Sequence, residues 1–119
     1  LLKVLAGVWN VEINIKNLGQ ITVVELSGNI DGKTAPLAQE KILDLAKEDC
    51  RILLDMSRVD LMFSAGLRML LSILRQVPPS GKMILAGLSQ QIENTMATAK
   101  LLNFFKVSKT FDEAIVSLN

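Results

Sequence analysis

The segment from Arg51 to Leu74 limits the fold of this chain more than any other feature, because it joins a buried strand to an amphipathic helix. Arg51–Ser57 (RILLDMS) contains the unbroken apolar run Ile52-Leu53-Leu54, which suits a strand covered on both faces. Beyond it, Leu67, Leu70, Leu71 and Leu74 recur at the spacing of one helix face, with Arg68, Ser72 and Arg75 on the opposite side. A covered strand that feeds a helix implies parallel pairing through right-handed crossovers.

The remaining segments extend this pattern. Trp9–Ile15 alternates Val11, Ile13 and Ile15 with polar residues, and Ile21–Leu26 returns after Leu18-Gly19-Gln20, so the two predict a hairpin. Gly28–Gly32 is expected to form a loop. Thr34 is expected to cap a helix running to about Lys47, with Pro36 in its first turn. Pro78-Pro79-Ser80-Gly81 ends the helix after Ser64, and Met83–Ala86 is a further short strand. Ser89 is placed to cap a helix with Ile92, Met96 and Ala99 inward. Phe104–Val107 is a candidate edge strand, and Thr110 with Glu113 fits a capping box before a last helix. The expected fold is α/β: a small sandwich with a mixed four- to five-stranded sheet, an N-terminal hairpin followed by parallel strands, and about four helices. A single domain over 1–119 is expected, with 1–8 as an N-terminal extension or edge segment.

Composition narrows the chemistry. Half of the 119 residues are hydrophobic and 21% are charged, which excludes a disordered chain. Thirteen basic residues against twelve acidic ones leave no excess for nucleic acid, and four Phe, one Trp and no Tyr provide no stacking platform. With no histidine and one cysteine, Cys50, neither a zinc site nor a histidine-based triad can be assembled. No cofactor is expected. The lone cysteine suits a reducing, cytoplasmic setting. The apolar start LLKVLAGVW is too short for a membrane span, which takes roughly 18 residues.

Three chemistries compete at the two glycine-containing loops. Serine hydrolysis at Ser64 fails on motif: Met62 stands where the nucleophile elbow has its first glycine, and Leu67 where an S-x-x-K pattern has lysine. The stretch Gly28-Asn29-Ile30-Asp31-Gly32-Lys33-Thr34 ends like a P-loop, but its first glycine is one position late and Asp31 would repel phosphate. The third is phosphorylation of Ser64, whose added charge of about −2 is tolerated at a helix N-terminus. Met62, Phe63 and Met69 would lend that surface an apolar component, and Arg68 lies one turn from Ser64. Against the switch stands the plainer role of Ser64 as a helix cap. Asp31 and Thr34 have plain alternatives too, as an Asx turn and a cap.

Three blocks of the chain resemble the STAS domain family, whose best-known members are bacterial anti-sigma factor antagonists. They are Val23–Leu37 (VVELSGNIDGKTAPL), Ile52–Leu71 (ILLDMSRVDLMFSAGLRMLL), and Gly81–Gly87 (GKMILAG) with the segment after it to Ala114. The resemblance implies that Ser64 is the serine phosphorylated by a partner kinase and Gly66 the glycine that follows it. It implies that Asp31 and Thr34 belong to the loop beside the acceptor. It also implies an anti-sigma factor serine kinase as partner, bound only when Ser64 is unphosphorylated, and a metal-dependent serine phosphatase that restores binding. Such a protein acts by binding, not as an enzyme. The chain departs from the family's Asp-Ser-Ser-Gly or Asp-Ser-Thr-Gly loop, with Phe63 in place of the carboxylate and Ala65 in place of a second hydroxyl. A non-phosphorylated STAS adaptor in a transporter or stress-signalling complex is the alternative expectation.

Overall fold

The alternation of side chains along one central strand sorts the core into two unequal layers. The computed structural model describes residues 2–6 and 11–119. In chain order these form β1 (Leu2–Ala6), β2 (Val11–Leu18), β3 (Ile21–Ile30), α1 (Ala35–Leu43), β4 (Arg51–Met62) and α2 (Ser64–Gln76). Then follow β5 (Lys82–Ala86), α3 (Gln90–Thr98), a 3₁₀ turn at Leu102–Phe104, β6 (Lys106–Ser108) and α4 (Phe111–Leu118). On β4, Ile52, Leu54 and Met56 join the large layer beneath α1, α2 and α3, whereas Leu53 joins a smaller layer beneath α4. The opposite pointing of successive strand residues accounts for the split.

The described strands form one sheet in the order β1-β2-β3-β4-β5-β6, identical to chain order. β1, β2 and β3 pair antiparallel, and β3 through β6 pair parallel. The expected hairpin and parallel strands are therefore present, as are four α-helices. Leu2–Ala6 supplies a further outer strand, which brings the sheet to six. Trp9, which was expected to open the first strand of the hairpin, lies outside the described residues.

Several boundaries differ from expectation, each for a local reason. β3 runs through Gly28 to Ile30 instead of ending before a Gly28–Gly32 loop, because Gly28 takes φ +94° beside a register shift in the β3–β4 pairing. A second shift lies between Glu25 and Ser27. These irregularities put Met56, Val59 and Met62 inward while Arg58, Asp60 and Leu61 face out, so β4 continues past Ser57 without strict alternation. α1 ends at Leu43, short of Lys47, and the following turn carries Asp49 at φ +61°. Ile92 and Met96 point inward as expected, but Ala99 is exposed. The last strand starts at Lys106 because Leu102–Phe104 is spent on a 3₁₀ turn.

Ser89 and Thr110 cap α3 and α4 as anticipated, accepting from the N–H groups of Ile92 at 3.1 Å and Glu113 at 3.2 Å. No helix among the described residues is long and apolar enough to cross a membrane.

Candidate functional site

The parallel strands β3 and β4 end side by side, with Ile30 opposite Met62, and deliver two loops to one end of the sheet. The Phe63 N–H donates to the Ile30 carbonyl at 2.9 Å, tying the start of α2 to the end of β3. Asp31 follows Ile30 directly, and Ser64 follows Phe63. The two loops singled out in sequence are thus neighbours in space.

Around Asp31 the bonding is dense. Its Oδ1 accepts from the Lys33 N–H at 2.9 Å and from the Thr34 N–H at 3.1 Å, an Asx turn that closes the entry to α1. These two N–H groups hold the Asp31 carboxyl below its ordinary value of 3.8, with lesser help from the Thr34 hydroxyl and the Lys33 charge. A P-loop would offer such N–H groups to a phosphate, and here a carboxylate already takes them. Thr34 was expected to cap α1, but its side chain makes no capping bond to the helix. Instead its Oγ1 accepts from the Asp31 N–H at 2.9 Å and donates to the Asn29 carbonyl at 2.8 Å. Thr34 is fully buried, and among the described residues it is the one polar side chain in the core.

The Ser64 loop is organised in the opposite way, by packing rather than by hydrogen bonds. Ser64 is the first residue of α2, and the N-cap position belongs to Phe63, whose ring offers no acceptor. Ser64 is therefore not the cap of α2. It is exposed, and its hydroxyl has no hydrogen-bond partner among the described residues. Gly66 is required by close approach. A Cβ there would fall on the Met62 side chain and lie 2.9 Å from a methyl of Ile30. Ala65 is half-buried, and Arg68 is exposed one turn after Ser64 on the same helical face.

The apolar surface at this loop differs from the one anticipated. Met62 and Met69 are 7% and 1% exposed, so neither is available to a partner. The continuation of β4 turns Met62 into the core, and the amphipathic face of α2 does the same for Met69. The exposed apolar groups are Phe63, at 51%, and Leu61, at 37%, the latter passed over in sequence because β4 was ended before it. Among the described residues no group of three potential ligands could hold a metal ion.

The STAS domain family matches residues 12–114, which is most of the chain. This protein belongs to the STAS domain family. Its fold is similar to that of an anti-sigma factor antagonist from Mycobacterium paratuberculosis, with a TM-score of 0.84 at 20% identity over 91% of this chain and 93% of that one. It is also similar to the Bacillus cell fate determinant SpoIIAA in its phosphorylated form, with a TM-score of 0.68 at 20% identity over 90% and 99% of the two chains. A sulfate transporter family protein from Wolinella succinogenes has the same fold, with a TM-score of 0.73 at 17% identity over 87% and 88%. The expected mixed-sheet STAS architecture is thereby established.

Proposed function

We propose that this STAS domain is an anti-sigma factor antagonist that docks an anti-sigma factor serine kinase through the Leu61–Gly66 loop, and that phosphorylation of Ser64 ends the docking. The carrying observation is the exposed, unbonded Ser64 hydroxyl at the first position of α2, flanked by the exposed side chains of Leu61 and Phe63. A phosphate there would sit on the positive end of the helix dipole, so the fold survives it. It would also place about two negative charges beside an apolar contact, where desolvation opposes docking. A metal-dependent serine phosphatase would reset the site. On this reading the domain acts by binding and needs no catalytic group of its own, in keeping with the fold relative from Mycobacterium paratuberculosis described as an antagonist.

Affinity capture from the native host with wild-type, Ser64→Ala and Ser64→Asp baits tests this, together with mass spectrometry of Ser64 after incubation with ATP and the captured kinase. A kinase held by the first two baits and lost with the third, and able to phosphorylate wild type alone, is the expected result. The second reading, a constitutive adaptor, is favoured by Phe63 and Ala65 standing where the family loop has a carboxylate and a hydroxyl. The same partners on all three baits, with Ser64 unmodified, would establish it and overturn the switch.

A further inference from the structure

The near-neutral net charge conceals a strong division along the chain. Residues 61–111 carry six cations, Arg68, Arg75, Lys82, Lys100, Lys106 and Lys109, against one carboxylate, Glu93. All six cations are exposed, and none has an ion-pair partner among the described residues. These residues build α2, β5, α3 and β6, and α4, which packs on β5 and β6, adds Asp112 and Glu113, so this flank carries six cations against three carboxylates.

At the outer edge of this flank lies a groove of about 280 Å³. Leu74, Met83 and Phe104 supply its apolar lining, Lys82 and Lys106 its charge, and no carboxylate lines it. Phe104 is 63% exposed, more than any Phe in a well-buried core would be. Glu93 lines a neighbouring hollow, together with Lys109, rather than this groove. The groove adjoins β6, which pairs with β5 on one side and is the outermost strand of the sheet on the other. An outer strand presents unpaired N–H and C=O groups to an added chain. Lys82 begins β5, whereas Asp31 and Ser64 follow the ends of β3 and β4, so in a parallel array the groove opens at the end of the sheet opposite the Ser64 loop.

We infer that the β6 edge is a second docking surface, which takes an extended acidic segment of a partner protein with an apolar side chain seated against Phe104, Leu74 and Met83. Charge complementarity selects the occupant: two lysines at an apolar groove whose own lining holds no carboxylate favour Asp and Glu flanking an apolar anchor. The concavity favours a peptide side chain over a flat lipid surface. Docking at this edge leaves the Ser64 loop free, so the domain can hold two proteins at once.

A random peptide library displayed on phage, selected against the full chain, provides the probe. Selected sequences are expected to be rich in Asp and Glu around one apolar residue. Their synthetic peptides are expected to shift the amide resonances of Lys82, Phe104 and Lys106, and to bind Ser64→Asp as well as wild type. The exposed double substitution Lys82→Glu/Lys106→Glu is expected to weaken them by roughly tenfold or more, and raised salt to do the same. Phe104→Ser is expected to weaken them without changing the salt dependence. Selection of no peptides, of peptides without acidic bias, or of peptides that bind the lysine variant equally well would overturn the proposal. So would binding of the chain to phosphatidylserine vesicles through these lysines, or self-association lost in the same variant. Loss of peptide binding in Ser64→Asp would assign the contact to the first surface instead.

Discussion

Thr34 shows how much one buried hydroxyl can carry. It is the joint between the end of β3 and the start of α1, satisfying a donor at Asp31 and an acceptor at Asn29 with a single oxygen. Thr34→Val keeps the shape and leaves both backbone groups unpaired, which is expected to cost about 1–3 kcal/mol in urea unfolding. An unchanged midpoint would show that water replaces the hydroxyl. Asp31 is predicted to titrate below 3.8, since its N–H partners favour the charged form. Its contribution to loop order is therefore complete above that value and vanishes as pH falls through the lower, folded value. An NMR titration of the Asp31 carboxyl should report that midpoint, with the Lys33 and Thr34 amides following it; a midpoint at or above 3.8 would refute the Asx bonding. Gly66 is constrained from the other direction, by space. Gly66→Ala must push the Met62 side chain and an Ile30 methyl aside and is expected to cost about 1–3 kcal/mol, read as a lowered thermal midpoint.

Among the elements, α2 stands out for having a phenylalanine at its N-cap. Its N-cap gains nothing from the Phe63 side chain, whereas α3 and α4 are capped by hydroxyls. Phe63→Asp is expected to stabilise the fold by about 0.5–2 kcal/mol through capping while weakening capture of the loop's partner. Stability measured by denaturant and binding measured by capture should thus move in opposite directions. The same elements show what the sequence made visible. Apolar runs and periodicity were enough for the hairpin, the central strand, the helices and two of the caps, since those signals are local. The ends of β3 and β4 were not legible, because register shifts replace the two-residue alternation there and hide Val59 and Met62 in the core. That error moved the expected apolar surface from Leu61 to Met62. Asp31 forms the Asx turn expected of it, whereas the cap expected of Thr34 is absent, because both residues suit helix entries and only the fold decides which oxygen meets which N–H. The position of Ser64 was legible. Its displacement from the cap was not, since it depends on where the chain turns from extended to helical.

For the whole molecule, total charge is a poor summary. A formal value of +1 hides an uneven surface, because six exposed cations against three carboxylates lie on the elements of one flank. At about 0.1 M salt the screening length is roughly 10 Å, so such a flank acts as a local field even when the sum is near zero. The protein is expected to be retained on a cation exchanger at neutral pH and low salt, and Lys82→Glu/Lys106→Glu to elute well before wild type. Equal elution of the two would show that these lysines do not dominate the surface.

The identity of strand order and chain order has a consequence for how the molecule is made. Among the described strands none has to be inserted between two that are already paired, so the sheet can grow by accretion from its N-terminal hairpin as synthesis proceeds. Each helical crossover closes only a short span of chain, which keeps the entropic cost of every addition low. β6 is then the last of the described strands laid down, and a nascent chain still tethered to the ribosome would display the growing sheet with its basic margin unfinished.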